Sequence, residues 1–228
     1  MRIIHLPLLF LLAAPAAGAD REDFLMGSVI KSDKWTMDRV RDREIFDGNV
    51  SFRNPRYNLK ADHALYERKA RTWDMTGAVY ILRSFDDKSL IEAKCDSARF
   101  LEGPEESYLE RGALPVRMKY TGTDGKTLNG RSDRARAENR TGLMFFTGAF
   151  ALSTENLDIY SRKGLYDRND RTFLIEESTP LAVGKREGYD FAINSEKIKF
   201  FKDTRDIKFY NNVTGWVKDD PRKPFTQK

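Results

Sequence analysis

Leu59-Lys60-Ala61-Asp62-His63-Ala64-Leu65-Tyr66 is the stretch whose reading decides the fold. Apolar and polar residues alternate along it, which is the period of a half-buried strand rather than of a helix. It recurs as Ala93-Lys94-Cys95-Asp96-Ser97-Ala98-Arg99-Phe100 and as Gly130-Arg131-Ser132-Asp133-Arg134-Ala135-Arg136-Ala137, with weaker copies at Ile159 to Tyr166 and Ile193 to Phe200. The positions equivalent to Asp62 are 62, 96, 133, 162 and 196, spacings of 34, 37, 29 and 34. Between the copies a glycine precedes further alternation: Gly48-Asn49-Val50, Gly77-Ala78-Val79, Gly112-Ala113-Leu114 and Gly148-Ala149-Phe150, with Asn212-Val213-Thr214-Gly215 as a degenerate last copy. Units of this kind cannot bury an apolar face alone, but stacked units share a continuous core. The expected architecture is all-β, elongated and quasi-one-dimensional.

Working outward, Phe46-x-Gly48-x-Val50-x-Phe52, Ile91-x-Ala93-x-Cys95, Phe150-x-Leu152 and Phe191-x-Ile193 also alternate. No stretch keeps helical periodicity beyond two turns. Glu102 to Arg111, the most helix-like, holds Gly103-Pro104 and reads as a loop or short turn, and Thr121 to Gly125 as a turn joining two strands. The first strand is expected around Ile30 to Met37 and the last over Ile207 to Val217, neither with a proline inside it. Exposed edges of this kind invite pairing with another chain. Asp219 to Lys228, with Pro221 and Pro224, is expected to be a disordered tail.

The chain of 228 residues carries 40 Lys and Arg against 35 Asp and Glu, a formal net charge of +5, with 12% aromatic residues. That aromatic content excludes a disordered chain. The start is Met1-Arg2, an apolar run from Ile3 to Ala17, and then Ala17-Gly18-Ala19. It reads as a secretory signal peptide over 1–19, with one domain over 20–218. The alternative is an uncleaved membrane anchor. Beyond the leader the longest mostly apolar run, Gly142 to Leu152, is far short of the ~20 residues that cross a bilayer.

Export leaves His63 as the only histidine and Cys95 as the only thiol, so no intramolecular disulfide can form and a His/Cys metal site is nearly excluded. Cys95 takes the place of Ala61 and Ser132 in the repeat and reads as a small buried thiol; His63, in the place of Ser97, reads as a surface residue. Asp62, Asp96 and Asp133 recur with the repeat and read as turn or edge features, not general acids. No Gly-rich phosphate loop is present, and neither a catalytic residue nor a cofactor is expected. The basic run from Arg131 to Arg140 is broken by Asp133 and Glu138. In an exported protein it fits attraction to anionic lipid, not to nucleic acid. The candidate site is the apolar face: Val50, Phe52, Leu59, Ala61, Ala64, Tyr66, Val79, Ile81, Ile91, Ala93, Ala98, Phe100, Phe150, Leu152, Ile193 and Phe200.

Phe46-Asp47-Gly48-Asn49-Val50-Ser51-Phe52, then Tyr57-x-Leu59-x-Ala61-Asp62-x-Ala64-x-Tyr66, then Trp73-x-x-x-Gly77-x-Val79 resembles the LptA/OstA-like family of periplasmic lipopolysaccharide-transport proteins. The likeness is strongest over Asp33 to Phe100 and extends to Val217. It implies an elongated open β-jelly roll built from about five stacked strand repeats. It also implies an apolar interior that holds the acyl chains of lipid A, end-to-end stacking with itself or with other jelly-roll components of the export bridge, and a periplasmic location. An LptC-like, membrane-anchored relative of the same fold is the close alternative. An exported β-solenoid that acts on polysaccharide is the alternative outside the family.

Overall fold

The computed structural model describes residues 28–186 and 188–219; the expected leader, and the tail beyond Asp219, lie outside the described residues. The described chain is all-β. Its strands, in order, are β1 (Val29–Lys31), β2 (Lys34–Asp38), β3 (Arg43–Arg53), β4 (Tyr57–Glu67), β5 (Thr72–Ser84), β6 (Leu90–Leu101), β7 (Glu106–Glu110), β8 (Val116–Thr121) and β9 (Thr127–Ser132). They continue as β10 (Arg134–Glu138), β11 (Leu143–Ser153), β12 (Leu157–Asp167), β13 (Thr172–Glu176), β14 (Leu181–Arg186), β15 (Tyr189–Asn194), β16 (Lys197–Phe201), β17 (Ile207–Tyr210) and β18 (Thr214–Asp219).

All 18 belong to one antiparallel network folded along its length into two facing sheets, a β-jelly roll. The long strands β3, β4, β5, β6, β11 and β12 cross the fold and serve both sheets. The N-terminal half of β3 pairs with β2, while its C-terminal half pairs with β1. Likewise β6 passes to β7 in one sheet and β8 in the other, and β12 passes to β13 and β14. β16 and β17 close one sheet and β15 and β18 the other.

The sequence repeat is this fold line. Strands β3, β5 and β11 bend at Gly48-Asn49, Gly77-Ala78 and Gly148-Ala149, each a pair of positive-φ residues where the register shifts. At Gly148 φ is +73°, and a Cβ would lie 2.3 Å from Asp133 Oδ2, so only glycine fits. The strands between them turn at Asp62, Asp96 and Asp133, whose carboxylates lie over Gly77, Gly112 and Gly148. Asp33 lies over Gly48 in the same way and accepts from Asn49 Nδ2 at 2.8 Å, a further copy not recognised in the sequence. Asp96 accepts from the Ala113 amide at 2.9 Å and Asp133 from Arg111 Nη1 at 2.5 Å. The repeat-periodic acids are therefore corner residues.

In β4 the buried positions run Leu59, Ala61, Ala64, so the period of two gains one residue at the corner. The buried residues that flank each corner are small: Ala61 and Ala64, Cys95 and Ala98, Ser132 and Ala135. Ser132 Oγ donates to the Arg134 carbonyl at 2.8 Å, which satisfies a hydroxyl that is otherwise shut in.

Four expectations are corrected. Ile30 to Met37 and Ile207 to Val217 are each two short strands, β1 with β2 and β17 with β18, because the fold line cuts both. Glu102 to Arg111 contains a strand, β7: Gly103-Pro104 lies in the turn of the β6–β7 hairpin, and Glu106–Glu110 pairs with β6 on one side and β10 on the other. Asp219 belongs to β18, paired with Tyr189, so the tail begins no earlier than residue 220.

Candidate functional site

Two aromatic rows fill the ends of the space between the sheets. At the N-terminal end Trp73 stacks on Tyr66 at 4.4 Å and meets Phe52 edge-on at 4.9 Å, while Phe46 lies between Trp73 and the exposed Trp35. Glu102 accepts from Trp73 Nε1 at 3.0 Å and from Arg71 at 3.1 Å, and Glu44 accepts from Trp35 Nε1 at 3.1 Å and from Arg68. These acids satisfy the indole N–H groups at the open lip. Towards the C-terminal end Phe150, Phe146, Phe173 and Tyr166 form the second row.

Between the rows the inward residues are smaller: Ala93, Gly130, Ala135 and Ala137. A cavity of about 550 Å³ results, within the usual range for a ligand pocket. Its floor includes Leu109, Met118, Leu128 and Met144.

Of the expected apolar-face residues, Ile81, Ile91, Ala93, Phe100, Phe150 and Leu152 line this cavity. Val50, Phe52, Leu59, Ala61, Ala64, Val79, Ala98 and Phe200 are buried in the closed core, with Tyr66 packed against it. Ile193 lies opposite the buried Ala182, one strand in from the C-terminal edge, and is half-buried. Met118, Tyr120, Met144, Phe146, Tyr166 and Phe173 also line the cavity and were missed. Val116-x-Met118-x-Tyr120 and Met144-x-Phe146 alternate in the sequence but lie outside the repeat copies.

The mouth is charged. On three strands the inward row changes from apolar at the fold line to cationic at the lip: Val79, Ile81, Arg83 on β5; Gly164, Tyr166, Arg168 on and just after β12; Ile198, Phe200, Lys202 on and just after β16. Three hydrogen bonds join the lips of the two sheets. Arg83 Nη1 donates to Asn139 Oδ1 at 2.9 Å, Lys202 Nζ to the Tyr120 hydroxyl at 3.2 Å, and Arg205 Nη1 to the Thr127 carbonyl at 3.4 Å.

Cys95 is buried on the inner face, and burial pushes its thiol up to about 12, which leaves no nucleophilic thiolate near neutral pH. The His63 ring is partly exposed and its Nδ1 lies 2.6 Å from Asp47 Oδ1, so the two are not brought together as a catalytic pair. Among the described residues no group of three or more His, Cys, Asp or Glu is arranged to hold a metal ion.

Fold and cavity together define a class: a two-sheet β-roll with open edge strands and an apolar interior. No protein-family model matches the chain, and no curated protein matches it. Among solved structures it is similar to the crystal structure of LptH, the LptA-homologous periplasmic component of the conserved lipopolysaccharide transport device from Pseudomonas aeruginosa. That match has 9% sequence identity and a TM-score of 0.26, and covers 61% of this chain and 75% of that one. The fold rests on the strand registers, not on this likeness.

Proposed function

We propose that this chain is a non-enzymatic periplasmic carrier of lipopolysaccharide. It holds acyl chains between its two sheets and passes them along the roll, joining end to end with itself or with related jelly rolls. The observation that carries the reading is the apolar cavity between the sheets, which opens at a lip where cations end the inward rows. Burying acyl chains there would contribute about 0.8 kcal/mol per methylene without any catalytic constellation.

The ends of the roll support the assembly part. Ile30 and Trp35 pair with the buried Phe52 and Phe46 and so face inward, yet both are exposed because no described strand pairs with the outer edge of β1 or β2. Val217, opposite Phe191 on β18, is exposed at the other end for the same reason. A second roll added edge to edge would cover both ends and pair the free backbone groups. Lipopolysaccharide, as the particular lipid, comes from the resemblance of the Gly48 and Asp62 stretches.

The test is photo-crosslinking to lipopolysaccharide from probes at Met118 and Met144, with an outward control at Arg53. Crosslinks at the first two positions and none at the control are expected. A folded protein with no crosslink at either methionine would make the cavity a packing defect and remove the carrier reading.

A further inference from the structure

Arg83 ends an inward row with its guanidinium 4.8 Å from the Phe85 ring and 5.3 Å from the Tyr57 ring, and no described carboxylate lies within ion-pairing distance of it. Partial burial, together with the Arg168 and Arg56 guanidiniums, lowers its pKa from the ordinary value. Arg168 likewise has no carboxylate partner among the described residues; it donates from Nη2 to the Asn139 carbonyl at 3.1 Å. Asn139 therefore gathers both guanidiniums, Arg83 through its side chain and Arg168 through its backbone.

The acids at the same mouth are engaged elsewhere. Asp86 lies 3.7 Å from Arg56, Asp203 2.9 Å from Arg171, and Glu138 2.8 Å from Arg136, while Asp87 accepts from the Ser89 hydroxyl at 2.6 Å. Arg83 is half-buried and Arg168 is exposed, and two like charges held together with one of them partly desolvated cost free energy unless an anion joins them. Each guanidinium has five N–H donors in a planar fork suited to an oxyanion, and the single bond from each to Asn139 uses few of them.

We propose that Arg83 and Arg168, set side by side by Asn139, form the subsite that takes the phosphate of an anionic amphiphile whose alkyl chains occupy the cavity below. This rests on the reading of the cavity as an acyl-chain site and adds a headgroup to it.

The experiment measures binding of three probes to the full chain: dodecyl phosphate, the uncharged dodecyl maltoside, and inorganic phosphate, the amphiphiles below their micelle concentrations. Wild type should bind dodecyl phosphate about tenfold more tightly than dodecyl maltoside, the scale of a charge-assisted contact. Inorganic phosphate at millimolar concentration should neither bind nor compete. The double variant Arg83→Gln/Arg168→Gln should lose the preference and keep dodecyl maltoside binding, and Arg83→Lys should keep part of the preference. Thermal melts establish that each variant is folded. Equal binding of both amphiphiles by wild type, or a preference that survives in the double variant, would overturn the headgroup assignment and leave the acyl-chain reading standing. Inorganic phosphate binding as tightly as dodecyl phosphate would make this a free-phosphate site. Binding of neither amphiphile would overturn both readings.

Discussion

Arg83 on β5 and Asn139, just after β10, are 56 residues apart in the chain and belong to opposite sheets, yet a 2.9 Å hydrogen bond joins them across the groove. That bond, with Lys202 to Tyr120 and Arg205 to Thr127, is what holds the lips together, because the core ends below them. A part-exposed bond of this kind contributes about 1 kcal/mol. Asn139→Ala should therefore lower the melting temperature only slightly. Amide hydrogen exchange at 84–90 and 139–142 should rise clearly, since local opening no longer breaks the bridge. Unchanged exchange in both turns would mean that the lips are held by other contacts.

The fold line tolerates no extra atom at Gly164. A Cβ there would lie 2.5 Å from Phe150 Cε1, and Phe150 is fully buried. Gly164→Ala should destabilise the protein by about 1–3 kcal/mol, the usual cost of overpacking. Gly130, whose added Cβ would come no nearer than 3.9 Å to Met118, is the control and should change little. Denaturant melts of the two variants check the contrast; equal losses would show that the contact with Phe150 is not the cause, since the backbone-entropy change of Gly→Ala favours the folded state at both positions.

Much of the fold was legible in the sequence because the corner repeats. The Asp62, Asp96 and Asp133 copies are three of the places where the chain passes from one sheet to the other. Their meaning was not legible, because a period-two template has no place for the single extra residue between Ala61 and Ala64. β7 was missed because Gly103-Pro104 was read as making the whole of Glu102 to Arg111 a loop, whereas it lies only in the turn of the β6–β7 hairpin, and the pairing with β10 that places β7 inside the sheet is not visible in a local window. In the candidate site, the apolar positions were read as one face. Which of them line a cavity depends on the size of side chains from other strands, here Ala135 and Ala137 against Phe52 and Trp73. The cations at the ends of the inward rows follow the same alternation, but a search for apolar alternation stops at Ile81 and does not reach Arg83.

The division between core and cavity predicts opposite outcomes for two substitutions. Phe52 is 1% exposed and lies outside the cavity, so Phe52→Asp buries a charge and should unfold the protein. Ala137 is half-buried and lines the cavity, so Ala137→Phe should fill the space, hold or raise the melting temperature, and weaken dodecyl maltoside binding at least about tenfold. Melts and binding isotherms on the same samples check it. An Ala137→Phe protein that binds as well as wild type would mean that the ligand does not use this space.

Cys95 gives a pH dependence with a definite sign. Its thiol is pushed from 9.0 to about 12, first by burial and then by the Asp96 charge. Below pH 9 the thiol is neutral in folded and unfolded chains alike and contributes no pH dependence. Between pH 9 and 12 the unfolded chain loses its proton and the folded one does not, so stability falls as pH rises. The fall should be shallower in Cys95→Ala, and the difference between the two proteins separates the thiol from the tyrosines Tyr57, Tyr66 and Tyr166, which titrate in the same direction. The native thiol should also resist iodoacetamide at pH 8 and react once the protein is unfolded; rapid native alkylation would place it at the surface.

The two ends of the roll offer the last prediction. Trp35 on β2 is 59% exposed and Val217 on β18 is 64% exposed, although both occupy inward-facing positions of their sheets. Each is an inward-facing residue with no described strand beyond it, and edges of this kind are ordinarily blunted by charge or proline. If rolls join head to tail, the N-terminal edge of one molecule meets the C-terminal edge of the next. The contact is then heterologous and does not close, so it produces chains of graded length rather than a fixed dimer. Sedimentation velocity should show a mean mass that climbs with concentration. Trp35→Glu or Val217→Glu alone should cap growth, because each removes one of the two complementary ends. An equal mixture of the two variants should stop at dimers, since the intact C-terminal edge of the first can still pair with the intact N-terminal edge of the second. Dimers in that mixture, with neither variant dimerising alone, would require this head-to-tail arrangement; dimers of each variant by itself would require a symmetric contact elsewhere on the molecule.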